Sequence, residues 1–308
     1  MFVNFKIDYI KLRKPSFIVS IALTVIGIIS LLVFNLNYGV DFKAGTTLDI
    51  SAGTQMDKAK VDALIHESFP EAKEVIITLG GNNERVTARF DMVLTEAESK
   101  TVISAFVGEY GEQVTYEENT VDVTIARELA VDAILIVLIA SLFIALYMVI
   151  RFEWRFAVAG IVSVLHDAFL VVAVYCIFRI EVNLTFVAAI LTVIGYSIND
   201  RIVIFDRIRE NLPKAKLKNF DDVAKLANDS IAQVLTRTIN TVLMVLFTAV
   251  ALLIFGSESI RSFSFAISLG LVIGVYSSIF IACPMWVLLK NRSLSAKRAA
   301  LIAAKEQE

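Results

Sequence analysis

Cysteine, histidine, proline and tryptophan are all scarce in this chain, with two Cys, two His, four Pro and two Trp among 308 residues. The cysteines, Cys176 and Cys283, both lie in apolar runs, so no disulfide framework is available. Neither stands near His66 or His166 in a spacing that would hold zinc, and no metal site is expected. No glycine-rich phosphate loop occurs, and a net charge of −2 gives no footprint for nucleic acid. No nucleophile–base constellation is found either, so the chain is not read as an enzyme. So few prolines leave long segments free to run as unbroken helices.

Apolar residues are abundant. They make up 57% of the chain, and the mean hydropathy is +0.71. Six runs are long enough to span about 30 Å of hydrocarbon at about 1.5 Å per residue. They are read as 16–36, 129–150, 157–178, 184–205, 234–256 and 262–289. The first follows a basic stretch, as a signal peptide would. It is too long and lacks a small-residue cleavage site, so an uncleaved anchor is expected. Lys and Arg gather in the N-terminal segment 1–15, at Arg151 and Arg155, in the loop 206–233 and in the tail 290–308. The two short loops on the other side hold only Arg179 and Arg261. The positive-inside rule then puts both termini in the cytoplasm of a multi-pass protein of the bacterial cytoplasmic membrane.

Segment 37–128 is therefore expected to be extracytoplasmic. Its pattern reads strand 41–51, helix 57–69, strands 74–79 and 85–92 around the turn Gly80-Gly81-Asn82-Asn83, helix 95–110 and strand 113–118. Thr95-Glu96-Ala97-Glu98 is a capping box. That order is the split βαβ, an α+β ferredoxin-like domain. In the loop 206–233, Phe220, Val223, Ala227, Ile231 and Val234 recur at helical spacing. They are read as a helix on the membrane surface, in contact with lipid, with a docking site for a cytosolic partner as the alternative.

Three neighbouring spans carry polar groups that are costly in lipid. The third has Ser163 and His166-Asp167, the fourth Thr192, Tyr196 and Asn199-Asp200, and the fifth Arg237, Asn240, Thr241 and Thr248. Asp200 and Arg237 lie at similar depths, roughly 7–8 Å inside consecutive antiparallel spans. As a pair they form either a proton switch or a fixed structural bridge. Asn199, Asp167 and His166 are further candidates for an ion path, with Tyr196, Asn240 and Thr241 as a supporting polar face. His166 can equally satisfy itself by one interhelical hydrogen bond. In the sixth span Ala266, Gly270, Gly274 and Ser278 form a stripe of small residues, read as a helix-packing face.

Four motifs carry a family resemblance. They are Val40-Asp41-Phe42-Lys43-Ala44-Gly45-Thr46; Leu165-His166-Asp167; Gly195-Tyr196-Ser197-Ile198-Asn199-Asp200 running into Phe205-Asp206-Arg207-Ile208-Arg209-Glu210-Asn211; and Thr236-Arg237-Thr238-Ile239-Asn240-Thr241. Over nearly its whole length the chain resembles the SecF side of the SecD/SecF family, part of the RND superfamily of proton-driven transporters. The resemblance implies a polytopic α-helical membrane protein, one RND-like half of six spans. It implies a SecD partner, association with the SecYEG channel, functional dependence on the motor SecA, and a translocating preprotein. It further implies that protons, or sodium ions, drive late, SecA-independent steps of translocation, with Asp200 and Arg237 as the intramembrane Asp and Arg and no other cofactor.

Two positions depart from the family pattern. Ala44 stands where a second Gly is usual and is expected to stiffen the turn into the domain. Arg201 stands where Thr is usual; it is expected to snorkel to the cytoplasmic headgroups or to compete for the carboxylate of Asp200. Other readings are an RND-type exporter of small molecules or lipids, which a domain of this size disfavours, and a non-transporting assembly factor, which needs no titratable cluster. Met1 and the basic N-terminus favour a free-standing subunit over the second half of a fused SecD–SecF chain.

Overall fold

The computed structural model describes residues 8–71, 75–80 and 83–305. Helix α1 (Arg13–Phe34) leads into a two-residue strand β1 (Asn37–Tyr38) and a helical turn α2 (Val40–Lys43). Then follow β2 (Gly45–Ser51), α3 (Lys58–Ser68), β3 (Val75–Gly80), β4 (Arg85–Phe90), α4 (Glu96–Tyr110) and β5 (Thr115–Val121). The remaining elements are α5 (Val123–Arg151), α6 (Trp154–Ile177), β6 (Glu181–Val182), α7 (Leu184–Asn211), α8 (Phe220–Phe255), α9 (Glu258–Ser277) and α10 (Cys283–Lys305). A π turn, Ser278–Ala282, joins the last two.

Among the described residues, six helical passages are long and apolar enough to cross a membrane. The chain is a polytopic helical membrane protein. α6, α7 and α9 occupy the interior, whereas α1 and α5 turn rows of Ile, Leu and Val outward. At one end of the bundle Phe156 stacks on the fully buried Trp286, with centroids 4.9 Å apart.

Between α1 and α5 lies a four-stranded sheet in the order β3-β4-β2-β5, every neighbour antiparallel. Alternation along β2 explains its two faces. Leu48 and Ile50 are buried and pack with Val61 and Ile65 of α3 and Val102 and Phe106 of α4. Thr47 and Asp49 point to the opposite, open face, toward the loops of the bundle. The capping box forms at Thr95: Glu98 N donates to Thr95 Oγ1 at 3.4 Å, and Thr95 N donates to Glu98 Oε2 at 2.6 Å. Gly81 and Asn82 of the expected turn lie outside the described residues, and the strands on either side pair in the register Gly80↔Arg85.

Three sequence expectations are corrected. The strand expected over 41–51 begins only at Gly45, because 40–43 curl into α2. Asp41 causes this, accepting from Asn119 Nδ2 (3.1 Å) and from Leu184 N (2.9 Å) at the first turn of α7. The stretch expected to lie as a separate helix on the membrane surface is instead the first part of α8, continuous with the fifth span and capped by Asn219. Its Val223, Ala227 and Ile231 are fully buried in the bundle core, so protein rather than lipid covers that face. Asn228 adds a polar tie to the N-terminal segment, accepting from Ile10 N at 3.2 Å and donating to Asp8 at 2.7 Å. Lastly, the sixth span is interrupted by the π turn at Ser278–Ala282.

Ala44 takes φ 67°, ψ 158°, a region that a Cβ disfavours, while Gly45 follows at φ 136°. Ala44→Gly is expected to stabilise the protein by about 1 kcal/mol. Gly45→Ala is expected to destabilise it strongly, since its Cβ would lie 2.3 Å from Phe90 O. Apparent melting temperatures of the purified variants check both; an unchanged or lower value for Ala44→Gly would remove the strain argument.

Candidate functional site

The polar groups of the third, fourth and sixth spans converge on Arg201, whose side chain is fully buried. Arg201 Nη2 donates to Asp167 Oδ2 at 2.5 Å and to Ser277 Oγ at 2.6 Å. Nε donates to Ser163 Oγ and Nη1 to the carbonyl of Ser197, both at 2.6 Å. Asp167, also fully buried, accepts from Ser197 Oγ at 3.0 Å on the same oxygen, and its Oδ1 lies 3.3 Å from His166 Nδ1. The guanidinium thereby ties α6, α7 and α9 together. The π turn begins at the residue after Ser277, and such turns often accompany functional sites.

The direction of Arg201 departs from expectation. Side chains on a helix lean toward its N-terminus, and Arg201 reaches back one turn to Ser197. That carries it away from the C-terminal end of α7, where snorkelling would have led. Nor is Asp200 its ion-pair partner: the carboxylate it engages is Asp167.

Asp200 is 4% exposed, and among the described residues no hydrogen bond or ion pair engages its carboxylate. Arg237 is not brought to it. The inward face of α8 is set by Ile231, Thr238, Val242 and Ala249, and Arg237 sits about 100° away from Thr238 on the helix. Arg237, Thr236, Asn240 and Thr241 are all exposed on the outer face. Thr241 Oγ1 bonds back to the Arg237 carbonyl at 2.9 Å. Asn199 is exposed and Tyr196 half-buried on α7. His166 lies beside the buried pair, with its Nε2 lacking a hydrogen-bond partner among the described residues. Of the stripe of small residues, Ala266 and Ser278 are fully buried. A Cβ on Gly270 would press within 2.2 Å of Val193, and one on Gly274 within 2.7 Å of Ser197 Oγ.

Arg201, Ser197 and Ser277 had no place in the sequence-derived ion path. A signal for them existed: Ser163 with Asp167 and Ser197 with Arg201 are both i, i+4 pairs, each presenting one polar face.

Residues 102–292 match the family model for the protein export membrane protein SecD/SecF, C-terminal. The chain belongs to the SecD/SecF family. It is 43% identical over 294 residues to the protein translocase subunit SecDF of Bacillus subtilis, covering 96% of this chain and 40% of that one. It is 41% identical to the protein translocase subunit SecF of Alicyclobacillus acidocaldarius, covering 94% of each. The crystal structure of SecDF, a translocon-associated membrane protein from Thermus thermophilus, superposes with a TM-score of 0.82 at 31% identity, over 94% of this chain and 40% of that one. This member thus spans nearly the full length of a SecF relative and about two fifths of the SecDF relatives.

Removing either member of the Asp167–Arg201 pair leaves its partner charged and buried, which costs about 3–5 kcal/mol. Asp167→Asn and Arg201→Gln are each expected to lower thermal stability in detergent by about that amount. Because one interaction is lost in both, the double variant should lose far less than their sum. Additive losses would show that the two groups are not coupled.

Proposed function

We propose that this chain is a SecF-type subunit of the Sec preprotein translocase. Together with SecD it uses the proton (or sodium) motive force to promote late, SecA-independent steps of translocation across the bacterial cytoplasmic membrane. The observation that carries the coupling part of this reading is Asp200. It is a buried carboxylate in a membrane span, with no ion-pair partner among the described residues. Asp167 beside it is committed to Arg201, Ser197 and His166. A group held in a fixed pair cannot readily take and release a proton; an uncommitted one can. A charge crossing 100 mV carries about 2.3 kcal/mol, enough to bias a movement between two states.

Arg237 supports the partner. A stripe of Thr236, Arg237, Asn240 and Thr241 turned out of a membrane helix is costly against lipid. It calls for a covering surface with acceptors, and the SecD half is the natural one, given relatives in which SecD and SecF form one chain. In this reading Arg237 takes part in ion coupling only once both halves are assembled. The SecYEG channel, SecA and the preprotein complete the machine. The Lys/Arg distribution supports cytoplasmic termini and an extracytoplasmic sheet domain. The order β3-β4-β2-β5 with two helices on one face supports a ferredoxin-like fold for that domain.

Asp200→Asn and Arg237→Ala are each expected to abolish gradient-dependent stimulation of preprotein export while leaving the protein inserted, with the double variant no worse than either. Export assayed in inverted vesicles at matched expression tests this, and wild-type stimulation by Asp200→Asn would refute the coupling role. For orientation, a cysteine at Asn83 should react with a membrane-impermeant thiol reagent applied to intact cells, and one at Lys216 should not. The opposite labelling would invert the topology.

A further inference from the structure

The open face of the sheet and the adjoining end of the bundle enclose a polar cavity of about 480 Å³. Thr47, Asp49 and Arg89 line it from the sheet, and Asp41, Arg179 and Glu181 from the other side. Glu181 is where the two bodies are joined. It lies on β6, which pairs in parallel with β1, the segment leading from α1 into the sheet domain. A Cβ on Gly39 would fall 2.3 Å from Glu181 Oε1, so the carboxylate rests directly on that connecting backbone.

From the sheet, Arg89 Nη1 donates both to Glu181 Oε2 and to the carbonyl of Tyr38, each at 3.2 Å. Arg89 is buried, and its Nε has no hydrogen-bond partner among the described residues, with Asp91 3.8 Å away. Its charge is therefore divided among several acceptors. Other ties across the junction include those of Asp41 and of Arg85, whose Nη1 donates to the Gly256 carbonyl at 3.2 Å.

We propose that Glu181 is a proton-binding site whose occupancy sets how firmly the sheet domain is held against the helical bundle. The charged groups that line the cavity with it are Arg89 from β4, Asp41 from α2, Asp49 from β2, Glu117 and Glu118 from β5, and Arg179 from its own loop, with Asp91 3.8 Å beyond Arg89. Partial burial raises the Glu181 carboxyl above its ordinary value, Asp41 and Asp49 push the same way, and Arg89 offsets only part of this. Released into water with the domain detached, Glu181 would return to the ordinary value. The docked form thus binds the proton more tightly than the released form, and by linkage proton uptake favours docking. Docking gains as pH falls through the raised value, and the gain is lost as pH rises above it. The protonated acid keeps a carbonyl oxygen for Arg89, so the clasp survives while a partly buried negative charge is removed.

The site is distinct from Asp200 and rests on the contact between sheet and bundle. Only its placement on the extracytoplasmic side depends on the proposed translocase reading. Opposite Asp200, it would be a group that reads proton concentration on the side toward which the sheet domain projects.

The test is a spin-label pair at Glu112 and Ser257 in the full chain in lipid nanodiscs, with distances measured by double electron–electron resonance. In the wild-type background the short-distance population is expected to rise as pH falls from about 8 toward about 4. Glu181→Gln should hold a pH-independent distribution, and Glu181→Asp should keep a response with a displaced midpoint. A response that persists in Glu181→Gln, or a wild-type distribution that ignores pH, overturns the proposal. The readout involves no export, so a failure here and a failure of the Asp200 prediction are separable.

Discussion

Hydrocarbon offers a guanidinium nothing to bond with, and Arg201 sits inside the membrane bundle with no exposed surface. Every acceptor it needs must come from the protein, and they come from three helices: Ser163 and Asp167 on α6, Ser197 on its own helix, and Ser277 on α9. Satisfying them requires the helices to approach closely. Gly270 and Gly274 make that possible, since a Cβ at either would strike Val193 or Ser197. The stripe of small residues on the sixth span and the buried ion pair thus answer to one constraint. The consequence reaches the neighbouring residue: with Asp167 engaged by Arg201, Asp200 is the carboxylate of the cluster that no other described residue bonds.

A second constraint acts where the sheet meets the bundle. The sheet has one apolar face, and α3 and α4 cover it. Its other face carries Thr47, Asp49, Thr87 and Arg89, which favour a hydrated, hydrogen-bonded junction over a dry one. Polar clasps such as Asp41 to Leu184 and Arg89 to Glu181 hold position through direction and charge, not through buried area. Such a junction can be loosened by a change in protonation, which a hydrophobic interface of the same size would not permit.

Much of this architecture was legible from the pattern of residues. Six apolar runs, the alternation of Leu48 and Ile50 with Thr47 and Asp49, and the capping box at Thr95 are local features, and local features survive being read along a line. Where the reading went astray, a long-range contact had overridden a local preference. Asp41 belongs to a strand-like stretch until the N-terminus of α7 and Asn119 draw its carboxylate into a turn. Val223, Ala227 and Ile231 form an apolar helical face that suits a lipid surface as well as a protein one; contact with the bundle core decides between them.

The polar site divides in the same way. The sequence by itself determined that titratable groups lie in the membrane spans, because an Asn-Asp-Arg triplet amid apolar residues is visible without coordinates. It also determined the family, because those motifs are contiguous. Only the tertiary structure decided which charges meet. Matching depth made Asp200 and Arg237 plausible partners, but depth is one coordinate of two, and the other is rotation about the helix axis. The apolar face of α8 turns Arg237 outward, and the lean of side chains toward a helix N-terminus carries Arg201 back to Asp167. Pairing between helices depends on that relative rotation, which is set by packing against every neighbour at once and is written in no single segment of the chain.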